Sequence, residues 1–92
     1  MQPAADDYRG WFDLGFALTR SELHLESAQA YRVAIARDPA QADAWNNLGW
    51  SLGKLGFFNE AEPALTRAVA LRPEFPLARN NLAWVRGERA RR

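Results

Sequence analysis

Residues 45–50, WNNLGW, occur in three versions along the chain. WFDLGF stands at residues 11–16 and RNNLAW at residues 79–84, so the three versions are equally spaced. An active site gives no reason for such a period. A stack of equal structural units does, because each unit must offer its neighbour the same packing surface.

The same period extends beyond these six residues. The positions that share it include Leu14, Leu48 and Leu82, then Tyr31 with Leu65, and Pro39 with Pro73. Within one unit the apolar residues recur at three and four positions, which indicates helices and not strands. We therefore expect an all-α protein, with helices at about residues 7–20, 25–37, 42–55, 59–71 and 76–89.

These residues resemble the tetratricopeptide repeat, whose pattern is Trp, two residues, Leu-Gly, then Ala, an aromatic residue and a closing Pro. The residues that carry the resemblance are Trp45, Leu48, Gly49, Ala61, Leu65 and Pro73, and again Trp11, Leu14, Gly15, Tyr31, Ala34 and Pro39. The resemblance implies an α-solenoid of two helix-turn-helix repeats, each of about 34 residues, plus a C-terminal capping helix. Within a single domain, 1–92, repeat one would span 8–41, repeat two 42–75 and the capping helix 76–92.

The last helix has the composition of a cap. Arg79 stands where the full units have Trp, and Arg86 where they have Leu, so its far side is polar. A terminal repeat with a polar outer face is what keeps a solenoid soluble. The alternative, a chain cut from the middle of a longer array, stays open from the sequence.

The two turns within the units differ in sequence. Gly56 is suited to a left-handed helix cap, whereas the first unit has Glu22 there, where a left-handed conformation costs about 1 kcal/mol. We therefore expect the first turn to be built differently. Asn59 as N-cap with Glu62 would form a capping box that places Pro63 near the start of its helix.

Composition excludes several classes of protein. The net charge of +1 predicts no nucleic-acid partner, and no apolar run reaches the roughly 20 residues of a membrane span. MQPAADDYRG lacks the basic start and apolar stretch of a secretory signal. We expect a soluble, cytoplasmic protein that does not insert into membranes.

The sequence offers little material for catalysis. The chain has no cysteine and a single histidine, His24, so neither a zinc cluster nor a nucleophilic triad can be assembled. We read His24 as a surface turn residue. The sequence predicts no enzyme, no catalytic residues, no metal and no cofactor.

The resemblance implies that the first helix of each unit lines a concave groove, which binds an extended peptide or a partner helix. We expect the peptide-binding residues to be Phe12, Phe16, Asn46, Asn47, Trp50, Asn80, Asn81 and Trp84, with Thr19 and Leu77 also on this face. Three of the aromatics would form a ladder, and the amides could bind a peptide backbone.

One subclass of the family binds a C-terminal carboxylate with a set of Lys, Asn and Arg side chains. Asn47 fits that set, but its other positions are occupied here by Phe12, Phe16, Leu77 and Asn81, so the resemblance does not imply such a clamp. The charges of the groove have both signs, so we expect salt to weaken binding only slightly.

Gly53 and Gly87 each follow a tryptophan of this ladder by three residues. One interpretation is that they leave room for a ligand beside the indoles. The other is that the aromatics pack against neighbouring helices and the glycines relieve crowding.

The sequence thus predicts a non-catalytic protein–protein interaction module whose partner is a protein or peptide. One alternative is a self-assembly unit that uses the same groove as the interface of a weak homo-oligomer. Another is an accessory domain of a larger enzyme complex.

Overall fold

A computed structural model describes residues 7–92, which form five α-helices and contain no strand within that range. The helices are α1 Tyr8–Arg20, α2 His24–Arg37, α3 Ala42–Lys54, α4 Phe58–Leu71 and α5 Pro76–Ala90. Each boundary lies within one residue of its expected position. The all-α helical-repeat fold predicted from the period is confirmed.

The helices stack in chain order. α1 packs on α2 and α3 on α4 as two helix hairpins, while α2 contacts α3 and α4 contacts α5 between successive units. The first helices of the units also touch, α3 with both α1 and α5. The stack measures 40 × 26 × 18 Å, and α1, α3 and α5 form one of its faces.

Glycine lets the helices of each hairpin cross closely. A Cβ added at Gly15 would lie 2.7 Å from the Tyr31 ring, and one at Gly49 would lie closer still to Leu65 Cγ. Both distances are too short for any side chain. The Leu-Gly element of the repeated phrase is therefore explained by helix packing.

The first turn is built in the same way as the second, contrary to our expectation. Glu22 adopts a left-handed φ of 61° where Gly56 has 83°. In both turns the amide of the following residue donates to the carbonyl five positions earlier at 2.9 Å. These bonds hold Glu22 in a conformation that costs about 1 kcal/mol relative to glycine.

The predicted capping box at the start of α4 is wrong. The N-cap is Phe57, without a side-chain hydrogen bond, and Pro63 lies inside the helix. The two supposed capping residues bind α5 instead: Asn59 Oδ1 accepts from Arg89 Nε at 2.8 Å, and the Glu62 carboxylate also binds α5. The left-handed residue of the preceding turn already fixes where α4 begins.

α5 covers α4 through Ala78, Leu82 and Val85, which are buried. Arg79 is exposed, as expected of a polar far side. Arg86, however, reaches back to α4, where its Nε donates to Glu62 Oε2 at 2.9 Å.

A buried pair of hydroxyls joins the two hairpins. Ser27 on α2 and Ser51 on α3 are fully buried, and their Oγ atoms lie 2.7 Å apart. Ser27 also donates to the His24 carbonyl at 3.1 Å, so Ser51 donates to Ser27. The positions one period later, between α4 and α5, are Ala61 and Val85, both fully buried. The first interface is thus polar where the second is apolar.

Candidate interaction groove

A pocket of about 240 Å³ lies on the face that α1, α3 and α5 form, with one wall from α2. Its lining residues are Phe16, Thr19, Tyr31, Asn46, Asn47, Trp50, Leu77 and Asn81. Five of the eight predicted peptide-binding residues are therefore brought together. The other three, Phe12, Asn80 and Trp84, do not line the pocket.

The pocket has accessible apolar walls. Phe16 is 49% exposed and Leu77 is 56% exposed, while Trp50 between them is half-buried. Large apolar side chains left open beside a concavity are typical of a binding surface.

A chain of side-chain amides crosses the floor of the pocket. Asn81 Nδ2 donates to Asn46 Oδ1 at 3.0 Å, and Asn46 Nδ2 donates to Asn47 Oδ1 at 3.2 Å. Asn47 Nδ2 then donates to the Tyr31 hydroxyl at 3.3 Å. Asn46 and Asn81 are buried, so these two amides are occupied by one another, whereas Asn47 is half-buried and keeps a free N–H.

The chain of hydrogen bonds continues in one direction to α1. The Thr19 hydroxyl donates to the Gly15 carbonyl at 2.9 Å, which uses its only proton. The Tyr31 hydroxyl, 3.4 Å from Thr19 Oγ1, must therefore be the donor to it. Burial raises the pKa of the Tyr31 phenol, so it remains protonated for this role at neutral pH. The floor of the pocket is thereby fixed in one arrangement.

Trp84 fills the space beside Gly53 that one interpretation of the sequence left for a ligand. A Cβ at Gly53 would lie 2.6 Å from Trp84 Cζ3. The Trp84 ring also lies 5.4 Å from the Trp50 ring and 6.0 Å, edge-on, from Phe58. The packing interpretation therefore holds at Gly53. At Gly87, by contrast, no atom lies within 4 Å of an added Cβ.

Phe12 contacts the pocket through Tyr31, one of the lining residues. Its ring packs edge-on against Tyr31 at 5.6 Å and lies 5.8 Å from Tyr8. Asn80 is exposed on α5, outside the pocket.

Tyr31 is the pocket residue that the sequence prediction missed. Its register with Leu65 marks it only as an aromatic position of the repeat. The signal that could have identified Tyr31 as a pocket residue is its hydroxyl group. Tyrosine carries a polar group that needs a partner when buried, and the second unit has none at this position.

His24 is not the surface turn residue that we expected. α2 begins at His24, one residue earlier than predicted, so the side chain belongs to the helix. Its Nδ1 is buried without a hydrogen-bond partner among the described residues. Residues 7–92 also contain no group of three or more His, Cys, Asp or Glu side chains placed to hold a metal ion.

Residues 42–75, which comprise α3, α4 and the turn after them, match the family model of the tetratricopeptide repeat. Over α3 and α4 the chain is therefore similar to a tetratricopeptide repeat. Such repeats generally mediate protein–protein interactions, and the family is typically non-catalytic. No curated protein matches the chain. Among residues 7–92 no helix is both long enough and apolar enough to cross a bilayer.

Proposed function

We propose that the chain is a non-catalytic interaction module that binds an extended segment of a partner protein in the pocket against α1, α3 and α5. The pocket itself is the observation that carries this proposal. It combines open apolar walls with a polar floor whose hydrogen bonds are already made. A site organised before binding loses less conformational freedom when its ligand arrives.

The domain division that goes with this proposal has residues 8–41 as a first repeat and residues 76–92 as a cap. Two features support the first repeat: the left-handed turn residue at Glu22 and the close helix crossing at Gly15 both recur one period later. The ion pair from Arg86 to Glu62, which fastens α5 to α4, supports the cap.

The ligand would place an apolar side chain between Phe16, Trp50 and Leu77. Burial of one large apolar side chain contributes about 1.5–3 kcal/mol. The free N–H of Asn47 would donate to the ligand backbone. Because ordering a flexible peptide opposes binding, we expect micromolar affinity, which corresponds to about 8 kcal/mol.

A matched pair of phenylalanines tests the site. Peptides would be selected from a displayed random library on the immobilised domain, and their affinities measured by calorimetry on wild type, Phe16→Ala and Phe57→Ala. The two side chains are similarly exposed, 49% and 45%, but Phe57 lies at the α3–α4 turn, outside the pocket. Phe16→Ala should weaken binding at least tenfold and Phe57→Ala should leave it unchanged. Equal losses would place the binding surface elsewhere.

Self-assembly through the same pocket is the second candidate, because the exposed rims at Phe16 and Leu77 could meet those of another copy. Sedimentation equilibrium distinguishes the two. Self-assembly predicts a dimer that Phe16→Ala dissociates and a domain that selects no peptide, whereas the peptide-binding module selects peptides as a monomer.

A further inference from the structure

On the face that α1, α3 and α5 form, a charged residue follows each aromatic residue of the ladder. One helical turn after Phe16, Trp50 and Trp84 stand, respectively, Arg20, Lys54 and Glu88. In the sequence, these charges and their neighbours have both signs and cancel. The structure shows that they are not equally available.

The acidic residues of this face are paired within the chain. Each has an arginine partner, and the pairs are Arg9–Asp13 at 3.6 Å, Arg72–Asp43 at 3.2 Å and Arg91–Glu88 at 3.3 Å. Arg72 binds both carboxylate oxygens of its partner. These three carboxylates are therefore already compensated.

Arg20 and Lys54 are the cations of this face that remain unpaired. No acidic oxygen of residues 7–92 lies within the 4.0 Å that defines an ion pair for either of them. Even Glu22, two residues beyond Arg20, forms no such pair. Both cations are exposed, in the last turns of α1 and α3. Lys54 Nζ lies 5.3 Å from the centre of the Trp50 ring, so its charge stands directly beside the pocket.

We propose that the ligand of this pocket carries an acidic residue two positions from its apolar anchor, and that Lys54 and Arg20 bind its carboxylate. This inference rests on the proposed function. The spacing follows from geometry: Trp50 and Lys54 are about 6 Å apart along the helix axis. Two residues of an extended peptide span about 6.6 Å and point to the same side.

The cations also control whether an acid can approach at all. The aligned peptide dipoles of α1 and α3 give the C-terminal ends of these helices a partial negative charge. Arg20 and Lys54 compensate that charge and leave a surplus. Without them the same place repels a carboxylate. Neutralising both should therefore reverse the preference for acidic ligands, beyond merely removing it.

The test compares libraries selected on two proteins. A displayed peptide library with a fixed leucine and random flanking residues is selected on wild type and on Arg20→Gln/Lys54→Gln. Wild type should enrich Asp or Glu two positions from the leucine, and the double variant should deplete them while still selecting peptides. Equal acidic content in the two pools would overturn the inference and leave the peptide groove standing. If neither protein selects any peptide, the groove itself is rejected.

A charge exchange completes the test. Two capped peptides that differ only in Glu or Lys at the selected position are titrated against wild type and Lys54→Glu. Each exposed pair should contribute about two- to fivefold in affinity, so the ratio of the two affinities should invert in the variant. The preference of wild type should shrink at high salt, because these charges are open to solvent. A ratio that Lys54→Glu leaves unchanged would refute the role of Lys54.

Discussion

Two glycines at equivalent positions of successive units should respond in opposite ways to the same substitution. Gly53 lies under the Trp84 ring, so the methyl group of Gly53→Ala would stand 2.6 Å from Cζ3, whereas ordinary contact begins at 3.4 Å. Gly87 occupies the equivalent place on α5 and has nothing within 4 Å. The two positions share their helical context, and they differ in whether a ring covers them.

The expected magnitudes follow from that difference. Alanine is favoured over glycine in a helix interior by up to about 1 kcal/mol, and this gain applies to both variants. At Gly53 the rigid indole must move, and overpacking of this kind costs about 1–3 kcal/mol. We therefore expect Gly53→Ala to lose about 1 kcal/mol of stability and Gly87→Ala to gain up to about 1 kcal/mol.

Thermal unfolding followed by circular dichroism measures both effects. For a domain of this size about 1 kcal/mol shifts the melting temperature by roughly 4–8 °C, so the variants should fall on opposite sides of wild type. Tryptophan fluorescence should change in Gly53→Ala alone, because the Trp50 and Trp84 rings are in contact. If both variants are stabilised alike, Trp84 does not pack on α3, and the space at Gly53 is free for a ligand after all.

Three further predictions concern stability. Glu22→Gly should stabilise the domain by about 1 kcal/mol in chemical denaturation, because the residue already has the left-handed φ that glycine adopts freely; a destabilised variant would contradict this. Asn81→Ala leaves Asn46 Oδ1 buried without its hydrogen-bond donor, so it should lower the free energy of unfolding by about 1–3 kcal/mol. A loss no larger than that of Asn80→Ala would contradict the chain of amide hydrogen bonds. The hydrogen bond from Arg86 lowers the pKa of Glu62 below its usual 4.5, so the pair stabilises the fold above that pH, and the contribution disappears as the pH falls through the lowered pKa. Melting curves of wild type should therefore show an acid-dependent loss that Glu62→Gln lacks; identical pH profiles would mean that Glu62 does not fasten α5.

The fold could be read from the sequence because its signal is repeated. Helix positions, the close crossings at Gly15 and Gly49, and the cap at Gly56 each follow from local chemistry that recurs with the period. The geometry of the turn at Glu22 was harder to predict from the sequence, because glutamate rarely adopts a left-handed conformation. The tertiary structure prevails there, because the turn between α1 and α2 forms the same hydrogen bond as the turn between α3 and α4.

The candidate site could be predicted only in part, because side chains of the same type differ in their burial and in their hydrogen-bond partners. Asn46 and Asn47 are adjacent in sequence, yet the first is buried and the second is only half-buried. The sequence around Asn59 and Glu62 does not indicate that these side chains bind arginines of α5 and therefore do not form the predicted capping box. Such pairings depend on where a distant helix lies, which a period does not specify.

The Ser27–Ser51 pair makes the order of the units in this chain matter. A longer array made by copying residues 42–75 end to end would place another Ser51 beside Ala61, where its hydroxyl would be buried opposite a methyl group. Each such junction would lose about 1–3 kcal/mol for the unmet hydrogen bond. An engineer who extends this scaffold should therefore put valine, as at Val85, at every junction after the first. Concatenated arrays with serine and with valine at that position should differ in melting temperature by an amount that grows with the number of junctions.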